Sequence, residues 1–71
     1  MQDGRAALRA DARQNYDRIL KAAAEVFVAD GFNAPLDRIA RHARVGEATL
    51  HRRFPTRDSL LRALTLDLLR S

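Results

Sequence analysis

Between Gly46 and Phe54 the sequence gathers Thr49, His51, Arg52 and Arg53. These side chains donate hydrogen bonds or carry positive charge, which is the chemistry of holding an anion or reading a polar surface. Making and breaking bonds asks for more: a nucleophile with a base in reach, or paired carboxylates in a cleft. Thr49 and His51 are an i, i+2 pair and lie on different faces of a helix, so they form no such couple. His42 and His51 have no third ligand beside them, and the chain has no cysteine, so no metal site is expected. No catalytic residue, no metal and no cofactor are expected, and binding is left as the activity.

Size points the same way. A chain of 71 residues forms one small domain and buries only about 60% of the surface that it exposes when unfolded. That leaves no room for a deep substrate cavity on a scaffold, so the chain reads as a non-enzyme. The absence of cysteine removes disulfides and fits a reducing compartment. No apolar run reaches the roughly 18 residues of a membrane span, and the amino terminus lacks a signal-peptide core. A cytoplasmic protein with no membrane association is expected.

The basic residues are twelve arginines and one lysine, and the net charge is +4. Most of the surplus lies between residues 33 and 54, where five arginines stand against two acids, beside both histidines. A basic patch on a small helical domain is consistent with a polyanionic partner.

The elements that position these residues follow from hydrophobic spacing. Residues 1–12 are polar and alanine-rich and read as a flexible basic arm that becomes helical near its end. From Asn15, the residues Tyr16, Ile19, Leu20, Ala23, Val26 and Phe27 recur at three-and-four spacing, one face of a helix of about four turns. Gly31 ends it, because glycine takes the left-handed conformation after a helix without strain, and Phe32 then folds back on Phe27. Tyr16, Phe27, Phe32 and Phe54 are expected in the core.

Pro35 suits the first position of a second helix, with Asp37 in its first turn and Leu36, Ile39, Ala40 and Ala43 as the inward stripe. Gly46 caps a third helix anchored by Leu50 and Phe54, with Val45 just before it, and Pro55 stops it. Thr56 caps a fourth helix, whose stripe is Leu60, Leu61, Leu64 and Leu68, leaving Leu66 and Leu69 exposed. No segment alternates with period two. The fold class is all-α: a helix-turn-helix in a homeodomain-like three-helix unit, followed by the start of a fourth helix. In such a unit the second short helix can enter the roughly 12 Å wide major groove of DNA.

The stretches Ile19-Leu20-Lys21-Ala22-Ala23, Val26-Phe27, Asp30-Gly31-Phe32, Ile39-Ala40, Val45 through Phe54 and Thr56 through Leu60 resemble the amino-terminal DNA-binding domain of the tetracycline-repressor (TetR/AcrR) family. The resemblance covers about residues 13–64. It implies a sequence-specific regulator of bacterial transcription, a repressor, that binds double-stranded operator DNA as a homodimer with helix 46–54 in the major groove. It further implies that residues 56–71 begin the connection to a ligand-binding and dimerisation domain, through which a small-molecule inducer acts.

Position by position, Glu47, Ala48 and His51 are implied to face base edges. Thr49, Arg52, Arg53 and Arg57 are implied to lie near backbone phosphates. The sequence departs from the family pattern at several of these places. Arg44 stands where the family usually has glycine, which implies a non-glycine residue in the left-handed conformation. Gly46 replaces a common serine cap, Glu47 a residue that is often basic, and His51 the usual tyrosine. The rival reading is a helical protein-interaction module that docks through its leucine-rich fourth helix, its arginines merely solvated.

Overall fold

In the computed structural model the backbone is described for residues 4–70 and the side chains for residues 12–70. Four helices make up the described residues, with no strand among them: α1 Gly4–Asp30, α2 Leu36–Ala43, α3 Glu47–Arg53 and α4 Arg57–Arg70. The largest completely buried side chains come one from each helix: Ile19, Ile39, Leu50 and Leu60, all at 0% exposure. Around them pack Leu20, Ala23, Val26 and Phe27 of α1, and Ala40 and Ala43 of α2, the faces marked by the sequence periodicity.

The local stop and start signals work by identifiable hydrogen bonds. Gly31 has φ +91° and donates its N–H to the Phe27 carbonyl at 2.8 Å, so the left-handed glycine closes α1. Phe32 folds back with its ring 5.6 Å from that of Phe27. At the start of α4 the Ser59 N–H donates to Thr56 Oγ1 at 3.0 Å, and the Thr56 N–H donates to Ser59 Oγ at 3.2 Å. This is a reciprocal cap in which serine takes the place of the more usual Glu or Gln.

The turn between α2 and α3 has the same logic with a less comfortable residue. Val45 donates its N–H to the Ala40 carbonyl at 3.0 Å, and Arg44 donates to the Arg41 carbonyl at 3.1 Å. That pair of bonds is the Schellman ending, which needs a left-handed residue just past the helix. Arg44 supplies it, with φ 60° and ψ 42°, the only positive φ outside glycine among the described residues. A Cβ in this region costs roughly 1 kcal/mol. Gly46 then caps α3 in an extended conformation.

Several expectations need correction. The first helix starts at Gly4, well before Asn15, so most of the stretch read as an arm has helical backbone; residues 1–3 lie outside the described residues. Alanine and arginine, both strong helix formers, account for this better than any stripe. Pro35 occupies the cap position and not the first helical one. There its carbonyl accepts N–H bonds from Arg38 and Ile39. Phe32 is 67% exposed: it touches Phe27 from outside and does not enter the core. Leu68 is also exposed, as are Leu66 and Leu69, so the buried stripe of α4 ends at Leu64. Ala22 and Ala34 are buried without having been read as core.

Two outcomes follow from this packing. Leu50→Ala is expected to destabilise the domain by about 3 kcal/mol, through lost burial plus the cavity left behind, measured as a shift of the urea midpoint. Arg44→Gly is expected to raise the melting temperature by about 2–5 °C: the relief of left-handed strain exceeds the added chain entropy of glycine in the unfolded state.

Candidate nucleic-acid interface

α3 is only seven residues long, too short to form a stable helix in isolation. It exists because Leu50 is pulled into the core and Phe54, at its end, follows. With those two fixed inward, the opposite side must face solvent. Glu47, Ala48, His51 and Arg52 are all exposed. Their spacing, i, i+1, i+4 and i+5, makes one continuous face over two turns. The residues expected at base edges therefore share a side with Arg52, whose guanidinium has no hydrogen-bond or ion-pair partner among the described residues.

Thr49 is half-buried and turns toward α1, where it lines a shallow hollow with Ala12, Asn15, Arg52 and Arg53. Arg53 goes further in that direction. Its guanidinium lies over the Tyr16 ring, 5.7 Å from the centroid, and its Nη2 donates to the Ala12 carbonyl at 3.2 Å. The Tyr16 ring in turn stacks tilted on Phe54 at 5.5 Å. Arg53, Tyr16 and Phe54 thus tie the carboxy-terminal end of α3 to α1, in contacts between a cation and a ring face and between two rings.

Arg57 is also engaged. Its Nη1 donates to the Phe32 carbonyl at 3.1 Å and to the Ala34 carbonyl, holding the first turn of α4 against the loop between α1 and α2. Charge-assisted bonds to two carbonyls fix that loop more firmly than an exposed ion pair with an acid would. Among the described residues neither Arg53 nor Arg57 faces an acid. Their remaining N–H groups are what a phosphate could reach.

His42 does not join His51. Its Nε2 lies 2.9 Å from Glu25 Oε1, bridging α2 to α1. Among the described residues no group of three metal-binding side chains gathers, and no helix is long and apolar enough to cross a membrane.

Sequence spacing located the outward face of α3 but missed the contribution of α1 to it. Asn15 and Ala12 border α3, and the signal available was Tyr16, an aromatic at the start of the α1 stripe with no partner in its own helix.

A family model described as bacterial regulatory proteins, tetR family, matches residues 19–64. Neither a curated protein nor a solved structure was found to match the chain. Among the described residues the matched segment runs from the first fully buried residue of α1 to the last buried leucine of α4, so it takes in every buried core residue described and both short helices of the turn. With that match laid over an exposed, polar third helix, the chain belongs to the tetR family of bacterial regulatory proteins and carries its amino-terminal helix-turn-helix, the DNA-binding domain of a transcriptional regulator and not of an enzyme.

Proposed function

We propose that this domain is the reading head of a transcriptional repressor, which inserts α3 into the major groove of a double-stranded operator. The observation that supports this reading most directly is the division of α3: Leu50 at 0% exposure on one side, and Glu47, Ala48, His51 and Arg52 exposed on the other. A helix so anchored presents a rigid polar face of about the right width for the groove.

On that face Ala48 offers a methyl to a thymine methyl, and Glu47 accepts from cytosine N4. His51 donates or accepts according to its tautomer. Thr49 and Arg52 flank them toward the phosphates. Arg53 ties the end of α3 to Ala12, Arg57 ties α4 to the carbonyls of Phe32 and Ala34, and both meet phosphate with the donors left over. Phosphate contacts set the register, and base contacts carry the sequence information.

The repressor acts as a homodimer whose two third helices lie one DNA turn, about 34 Å, apart. A small-molecule inducer binds through a domain outside these residues and changes that spacing. The exposed Leu66, Leu68 and Leu69 on α4 support a protein-facing surface there, continuous with such a domain. They also favour the alternative of a docking module working through α4 alone.

Salt separates the two. Duplex binding through arginine is expected to weaken linearly in log–log terms as salt rises, whereas leucine docking stays nearly flat. Arg52→Ala is expected to weaken binding to all duplexes alike and to reduce the salt slope by about 0.9. His51→Ala is expected to change base preference at one or two operator positions, read by selection from a randomised duplex pool; an unchanged preferred site removes His51 from base reading.

A further inference from the structure

The cations of this domain have three different fates. Arg38, Arg41, Arg62 and Arg70 face acids. Arg53 and Arg57 donate to backbone carbonyls. Arg13, Arg18, Lys21, Arg44 and Arg52 do neither: among the described residues their charged groups have no hydrogen-bond or ion-pair partner. Arg18, Lys21 and Arg44 line one open hollow, formed where α1 passes the end of α2 and the turn into α3, with Ala22, Glu25, His42 and Ala43 completing it. Its one acid, Glu25, is already taken by His42 at 2.9 Å.

Arg44 makes the hollow more than a solvated surface. It is the single non-glycine residue at positive φ among the described residues, at a position where glycine would serve the turn without strain. Within the described fold its side chain returns nothing for that strain: it is exposed and makes no polar contact. Strain held at one point with no internal return is grounds for seeking a ligand. The side chain that the strained position carries is a guanidinium with five donors, suited to a planar or tetrahedral oxyanion. Arg18 and Lys21 add two further charges in the same concavity, and the turn that holds Arg44 leads directly into the cap of α3.

We propose that Arg18, Lys21 and Arg44 form a second seat for the phosphate backbone of duplex DNA, flanking the groove that α3 enters. This rests on the DNA-binding reading above and extends it to residues that the resemblance does not implicate. A seat at the amino-terminal end of α3 complements Arg52 near its other end. Two separated backbone contacts fix the angle of a helix in the groove where one leaves it free to pivot.

The test is a titration of a fluorescent mixed-sequence duplex of about 30 base pairs, long enough to span the roughly 10-base-pair turn that one head covers, at several salt concentrations. The proteins are the parent chain, Arg18→Ala, Lys21→Ala, Arg44→Gly and Arg52→Ala, each also melted without DNA. The expected result for Arg44→Gly is a higher melting temperature together with severalfold weaker duplex binding and a slope shallower by about 0.9. Arg18→Ala and Lys21→Ala lie on the exposed side of α1 and are expected to shallow the slope similarly at unchanged melting temperature.

If the parent binds and Arg52→Ala shallows its slope while the three hollow variants match the parent, the second seat is overturned and the α3 reading stands. If the parent shows no salt-dependent duplex binding, the DNA reading fails and the seat fails with it.

Discussion

The molecule depends on one shared contact, the meeting of Ile19, Ile39, Leu50 and Leu60, one fully buried side chain from each helix. For α1 this contact is a convenience, since 27 residues of mostly good helix formers have independent helical tendency. For α3 it is a condition of existence. Seven residues cannot repay the cost of nucleating a helix, so α3 is helical only while Leu50 is docked. The polar face is therefore not a surface decoration added to a stable rod. It is the outside of an element whose inside is held by the core, and core stability and the aim of the outward residues are one property.

What the sequence disclosed followed from range. Gly31, Gly46 and Thr56 were legible as helix punctuation because their effects act within a few residues, and the observed bonds at Phe27, the α3 cap and Ser59 are of that kind. The inward stripes of α1 and α2 were legible because periodicity of 3.6 survives any tertiary arrangement. Arg44 was legible through its departure from a family pattern, and the structure gives it φ 60°. The destinations of Arg53 and Arg57 were not legible. Their partners lie 41 and about 25 residues away in sequence, at Ala12, Phe32 and Ala34, and they are backbone carbonyls that carry no residue signature. Phe32 misled for a related reason: a ring that staples a helix end meets its partner whether it lies beneath the neighbouring loop or on top of it, and only the loop's path decides.

Net charge is a poor guide to where a polyanion sits on this domain. A surplus of +4 describes the whole chain, yet several arginines are matched by acids one helical turn away, such as Arg41 with Asp37 and Arg62 with Asp58. Such exposed pairs contribute little to stability, but they remove the local field that a phosphate would feel. Two more arginines hold carbonyls, so their charge helps to set the geometry of α3 and α4 before any ligand arrives. The cations left without internal partners are fewer than the count implies. Among the described residues they are Arg13 on α1, Arg52 on α3, and Arg18, Lys21 and Arg44 beside the turn that precedes α3.

That arrangement bears on how such a head keeps its aim. Tyr16 of α1 holds Arg53 and Phe54 at the carboxy-terminal end of α3, and Arg57 of α4 holds the loop between α1 and α2, through contacts that do not touch the outward face of α3. At its amino-terminal end α3 has no side-chain cap at Gly46, and the turn is held by the two backbone bonds of the Schellman ending together with Val45, partly buried against the core. A backbone phosphate seated against Arg44 would add a side-chain anchor at this end only when DNA is present. On that proposal the strain at Arg44 has a physical function: glycine there would relax the turn and also leave this end without a charge to anchor it.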